Sequence, residues 1–193
     1  MELSLEVEPD LPRIFYPLLE QGITIRGTVG CTVQNFLEVV MKLDQQYIRE
    51  RIQTIFLNFR PVDDLRTAIL MDGSHVALST AMPGLLGATM RKSGRYAAFR
   101  SEITQKREEV SCSETQGSVI VKMFNMVAGE IGPKVLKNGF FTDSKKLKDI
   151  FQANSAVMAD KVHLALLNKK QVETGTLPAL LPNSETVFFS VSF

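Results

Sequence analysis

Three things are scarce in this chain: cysteine, imidazole and net charge. Its two cysteines, Cys31 and Cys112, stand at a spacing that fits neither a metal site nor a redox pair. Two free thiols in a reducing compartment are expected. Two histidines, His75 and His163, are too few for most histidine-based metal sites. With 22 Lys and Arg against 21 Asp and Glu, the formal charge is +1. That balance excludes both a nucleic-acid magnet and an acidic mimic at the level of the whole chain, while leaving room for local patches. No apolar run reaches the roughly 18 residues of a membrane span. The opening Met1-Glu2-Leu3-Ser4-Leu5-Glu6 is acidic and alternating, without the basic and apolar regions of a signal peptide. A cytoplasmic protein is expected, with no membrane partner, no metal and no cofactor.

What is present is ordinary folding material, 45% hydrophobic and 22% charged over 193 residues, arranged as an internal repeat. Leu57-Asn58-Phe59-Arg60-Pro61-Val62 reads like Leu167-Asn168-Lys169-Lys170-Gln171-Val172, an offset of 110. Each string follows an alternating apolar run, Ile52, Ile55 and Leu57 in one case, Val162, Leu164 and Leu166 in the other. Each is followed by a further strand pattern, at Asp72–Ser79 and at Asn183–Ser190, now offset by 111. The reading is two copies of one small domain.

Leu3, Leu5 and Val7 alternate with polar residues, as a half-buried strand does. Ile23–Val29 is a second strand, closed by Gly30. Thr32 is a candidate N-cap for a helix whose apolar face is Val33, Phe36, Leu37, Val40 and Met41. Strands follow over 51–58 and 75–80, the latter led by the turn dipeptide Asp72-Gly73. In the second copy, Val119–Phe124 is apolar on both alternating sets and reads as a strand buried on both faces. Gly129 and Gly132-Pro133 break the next segment. Phe140-Phe141-Thr142 is a short strand, and Asp143 or Ser144 caps a helix with Leu147, Ile150 and Phe151 on its apolar face. Strands over 162–167 and 186–193 complete the copy. A sheet with one helix across it is an α+β layer arrangement.

The segment 83–117 is the least repeat-like. Gly84, Gly87 and Gly94 are followed by Arg91, Lys92, Arg95, Tyr96 and Arg100, an ordered insert that gives way to a polar linker. Glycines let backbone N–H groups approach an anion and the basic residues supply charge, so Gly84, Gly87, Arg91, Lys92, Arg95 and Tyr96 are the candidate ligand- or partner-binding residues. The segment is no P-loop, and the competing reading is a connector whose glycines serve turns. Arg91, Arg95, Tyr96, Phe99, Arg100 and Lys106 mix basic and aromatic side chains, as single-strand binders do, but the near-zero net charge makes nucleic acid an unexpected partner. His75 reads as a surface or turn residue, His163 as a sheet-face or partly satisfied core residue. Adjacent Asp63 and Asp64 read as turn residues. Cys31 reads as a small packed residue.

The string Phe56–Asp64, with Thr67 and then Asp72-Gly73-Ser74-His75-Val76-Ala77-Leu78, resembles the second half of the MoaD and ThiS sulfur carriers, and Val119–Phe124 with the glycines after it resembles the first strand and loop of a MoaD-type domain. The resemblance implies two ubiquitin-like β-grasp domains in tandem: 1–82, then the insert and linker 83–117, then 118–193, each a mixed sheet with a helix packed across it. Sulfur carriers use a free C-terminal Gly-Gly, whereas this sequence ends Ser190-Val191-Ser192-Phe193, so direct sulfur carriage is not expected. The leading expectation is a non-catalytic binding or scaffold protein that acts through sheet edges or the insert, with no catalytic residues, and that can pair into a homodimer. The alternatives are an accessory or degenerate sulfur-carrier relative in molybdopterin or thiamine biosynthesis, partnered by an adenylating or synthase enzyme, and a small enzyme with a site at the insert near Arg91, Arg95 and His75.

Overall fold

The structure, a computed structural model, describes residues 1–105 and 113–193. Cys112, Ser111 and Lys106, and much of the expected linker, lie outside the described residues.

The chain runs through β1 (Glu2–Val7), α1 (Tyr16–Gln21), β2 (Ile23–Val29), β3 (Cys31–Thr32), α2 (Val33–Asn35, continued as a π-turn over Phe36–Val40) and α3 (Gln45–Glu50). Next come β4 (Thr54–Leu57), β5 (Arg60–Pro61), β6 (Ile69–Leu70), β7 (His75–Ser79), α4 (Gly84–Met90) and β8 (Thr115–Phe124). The remainder is α5 (Met126–Asn138), β9 (Phe140–Asp143), α6 (Ser144–Ala153), α7 (Ser155–Lys161), β10 (Val162–Leu167), β11 (Lys170–Gln171), α8 (Leu177–Leu180) and β12 (Thr186–Ser192). The fold is α+β with mixed sheet.

Two compact units divide the chain: Met1–Ile23 with Gly129–Phe193, and Thr24–Ala128. They are not the contiguous segments 1–82 and 118–193. The reason lies in β1, which is antiparallel to β10 and parallel to β12 and buries Leu3, Leu5 and Val7 in that sheet. In the other unit, β8 lies parallel to β7.

In the first unit the strand order is β11-β10-β1-β12-β9; in the second it is β5-β4-β7-β8-β2. Position for position the layouts agree. Each has a hairpin (β10/β11, β4/β5), then a parallel pair (β1/β12, β7/β8), then one further strand. The repeated string forms the hairpin turns. Asn58 and Phe59 have φ of 48° and 67°, Asn168 and Lys169 φ of 50° and 65°, which is the pattern of a two-residue type I′ turn. Asn58 donates its N–H to His75 O (2.8 Å) and accepts from His75 N–H through Oδ1 (2.9 Å). Asn168 does the same with Glu2, at 2.8 and 3.0 Å. The counterpart of β7 is therefore β1. The second matched pair of strings, Asp72–Ser79 and Asn183–Ser190, is not equivalent in this way, because β12 pairs with β9 and β1.

This layout explains the insert. Antiparallel strands can be joined by two residues, but parallel strands need a crossover of a dozen or more. The chain between β7 and β8 supplies that crossover for the second unit, whereas β1 and β12 stand at opposite ends of the sequence and need none.

The helices behave largely as their spacing dictates. Thr32 Oγ1 accepts the N–H of Asn35 at 3.1 Å, and Val33, Phe36, Leu37 and Met41 are buried. A Cβ on Gly27 would approach Val40 Cγ1 to 2.6 Å, so β2 and this helix meet where a side chain is missing. Asp143 Oδ1 accepts the N–H of Lys145 at 2.7 Å and caps α6. From α6, Phe151 meets Phe189 and Phe15 with ring centroids 6.4 and 6.3 Å apart, in a cluster that also holds Phe140.

Two expectations are overturned. Over 119–123, β8 buries one face only: Val119, Val121 and Met123 are fully buried while Ile120 and Lys122 are partly exposed. The segment with Gly129 and Gly132-Pro133 is helix α5 throughout. Gly and Pro disfavour a helix interior by about 1 and 3 kcal/mol, but Val127, Ile131, Val135 and Leu136 bury one stripe, and burial of such side chains contributes about 1.5–3 kcal/mol each.

Candidate functional site

The insert is pinned by one arginine. Arg100 is 3% exposed and places all five donors. Nε donates to Thr89 O (2.7 Å), Nη1 to Asp63 Oδ2 (3.1 Å) and Thr104 Oγ1 (2.7 Å), and Nη2 to Asp63 Oδ1 (2.7 Å) and Arg91 O (3.1 Å). A bidentate carboxylate pair of this kind is geometrically exacting. Asp63 Oδ1 also accepts the Ser93 N–H at 2.8 Å. The turn residue Asp63 is thus the anchor that fastens α4 and the 3-10 turn Ala97–Arg100 to the rest of the second unit. In sequence Arg100 stands only as one of the insert's basic and aromatic residues, and the 37 positions separating it from Asp63 carry no signal of their partnership.

The six candidate residues separate. Gly84 has φ of 73° and open space beside it, while a Cβ on Gly87 would overlap the Met82 carbonyl. Both glycines answer backbone needs. Arg91 and Arg95 are exposed. Tyr96 stacks on Phe99, centroids 6.1 Å apart and planes 18° apart. Lys92 turns inward: its N–H bonds Gln53 O (2.8 Å), and its Nζ donates to Ile48 O (3.1 Å) in α3. Half-burial pushes the Lys92 ammonium below its ordinary pKa.

Around the pinned backbone, apolar side chains face water. Of the 13 large hydrophobic residues exposed among the described residues, five fall in the insert: Leu85, Leu86, Tyr96, Phe99 and Ile103. Leu85 and Phe99 are 75% and 81% exposed.

The remaining candidates are placed as follows. His163 is exposed on β10 and its Nε2 lies 2.9 Å from Glu8 Oε1, so it is a surface partner of an acid and not a core residue. His75 carries the ring of Phe59 at 5.4 Å between centroids. Cys31 is 5% exposed, and burial raises its thiol pKa above the ordinary value, the state of an inert packed cysteine. Among the described residues, no three His, Cys, Asp or Glu side chains form a metal-holding group, and no helix is long and apolar enough to cross a membrane. One edge strand of each sheet, β11 in the first unit and β5 in the second, is two residues long and carries Lys170 or Pro61, features that blunt strand pairing at that edge.

No family model matches the chain, and neither does any curated protein or solved structure.

Proposed function

We propose that the chain is a non-catalytic binding module whose insert, 84–103, docks a protein partner. The observation that carries this reading is the pairing of two opposites in one segment. A fully satisfied, buried Arg100 holds the backbone, while Leu85, Leu86, Phe99 and Ile103 stay in water. Pre-organised apolar anchors with little ordering entropy left to lose are what binding hot spots need. The blunted edges at β5 and β11 disfavour strand addition at those two strands.

The test is affinity capture with the full chain, its Leu86→Glu and Phe99→Glu variants and an Arg91→Gln/Arg95→Gln variant, quantified by mass spectrometry and followed by binding of the purified partner. Loss of the partner with either apolar variant, at unchanged melting temperature, supports the reading. Retention by both apolar variants overturns it.

A β-grasp reading, with an accessory place in sulfur transfer, is the second proposal. It is favoured by the repeated type I′ hairpin and by a parallel pair of strands within each mixed sheet, together with the sequence resemblance to the MoaD and ThiS carriers. It requires that the captured partner be an adenylating or synthase enzyme. A partner of any other class removes it.

A further inference from the structure

Between the first helix of the second unit, α3, the turn at 63–66 and the start of the insert's second half lies an open cleft of about 260 Å³, lined in part by Gln34, Glu38, Arg49, Asp64, Arg66 and Lys92. Its acids are already supplied with donors. Glu38 accepts Gln34 Nε2 on Oε1 (2.7 Å) and Gln45 Nε2 on Oε2 (3.2 Å). Asp63 is neutralised by Arg100. Asp64 Oδ1 accepts the backbone N–H of Arg66 at 2.9 Å.

Its cations are not matched in the same way. Arg49 pairs with Glu50 at 3.1 Å, outside the cleft lining. Arg66 gives its Nε to the neutral Gln34 Oε1 at 3.3 Å. Lys92 gives one of its three N–H donors to Ile48 O. Among the described residues neither Arg66 nor Lys92 has a carboxylate partner. A half-buried ammonium with donors to spare and no carboxylate partner is a group that an anion would stabilise. Both groups line the cleft, so an oxyanion bound there can accept charge-assisted hydrogen bonds from each.

We infer that this cleft is a binding site for a small oxyanion, a single phosphate or carboxylate group, held by Lys92 and Arg66. Glu38 and Asp64 limit it to low negative charge. The site shares Lys92 with the glycine-rich anion motif read in the sequence, but not Arg91 or Arg95. It does not rest on the protein-docking proposal, since none of the exposed apolar residues lines it.

The test uses the full chain labelled with ¹⁵N and titrated with inorganic phosphate and, separately, acetate, against sodium chloride at equal ionic strength. Saturable amide shifts at Gln34, Arg66, Lys92 and Ser93 are expected with phosphate or acetate and not with chloride, and the stronger of the two identifies the anion class. Arg66→Gln, a substitution at an exposed position that keeps a polar side chain, is expected to weaken binding roughly tenfold or more. Lys92→Met is expected to do the same, and Arg91→Gln/Arg95→Gln to change nothing. The absence of saturable shifts at tens of millimolar anion, or equal shifts in the wild type and Arg66→Gln, would overturn the inference. Should Lys92→Met not fold, Arg66→Gln decides alone.

Discussion

Truncating Arg100 to Ala would leave Asp63, Thr89 O and Arg91 O without the buried guanidinium that binds all three. Breaking one side of a fully buried pair typically costs about 3–5 kcal/mol, but the Asp63 side chain is 31% exposed and keeps the Ser93 N–H, so the loss here is that of charged hydrogen bonds, about 1.5–3 kcal/mol. Arg100→Ala is therefore expected to lower stability by about that much, and amide exchange should show Lys92, Ser93 and Gly94 opening first. Wild-type protection of those amides in the variant would refute the anchor. A milder residue-level effect belongs to Asp72, whose Oδ1 accepts the Ser118 N–H (2.8 Å) and hydroxyl (3.0 Å). These bonds hold its carboxyl below the usual range. A carboxyl with a depressed folded pKa contributes stability above its unfolded value of about 3.9, and that contribution is lost as the pH falls through the folded pKa. The melting-temperature gap between wild type and Asp72→Asn should be constant near neutrality and shrink below about pH 4. A gap independent of pH would contradict the assignment. Local signals of this kind are partly legible in sequence. Thr32 and Asp143 announce their caps because an N-cap acts on residues two or three places on. Asp63 with Arg100, and Glu8 with His163, do not, because only the fold brings them together.

At the scale of elements, the two hairpins are the internal control. Phe59 and Lys169 occupy the same turn position at φ of 67° and 65°, a region that costs an L-residue roughly 1–2 kcal/mol. Neither side chain is buried to offset it. Phe59→Gly and Lys169→Gly are each expected to raise stability by about 1 kcal/mol in chemical denaturation, and by similar amounts; destabilisation by either would show that its turn differs from this description. Elements with strict alternation, such as β1 and β12, are readable from sequence because a half-buried strand imposes period two; in β10 the expected apolar set Val162, Leu164 and Leu166 is only half-buried, and the opposite set buries Ala165. Helix α5 was hidden by Gly129, Gly132 and Pro133, whose local preference is outweighed by a stripe of buried residues. Gly132 itself lies so close to Tyr16 and Leu19 that a Cβ there would meet Leu19 Cδ1 at 2.9 Å. Short α3, rich in glutamine and charge, offers no apolar periodicity, and its Asp44 cap, accepting Gln46 N–H at 2.8 Å, stands alone.

At the scale of the whole chain, the decisive observation is that residues from both ends of the sequence build one sheet, while 24–128 build a sheet of the same layout. Alternation identifies β1 as a strand but does not say which sheet receives it. That choice is made by register, Leu3 facing Leu167 and Phe189, Leu5 facing Ala165 and Val191. From it follow the crossover between β7 and β8 and the ordered insert on which the proposed docking surface stands. The most direct test pairs Ser4 with Ser190, partners in the parallel register of β1 and β12. With Cys31 and Cys112 replaced by Ser, the variant Ser4→Cys/Ser190→Cys should cross-link within one chain, rapidly and nearly completely under mild oxidation or with a short bifunctional thiol reagent. Failure of that pair to react, with efficient cross-linking of Ser4→Cys to Ala77→Cys on β7 instead, would return β1 to a sequence-contiguous first domain and contradict the architecture described.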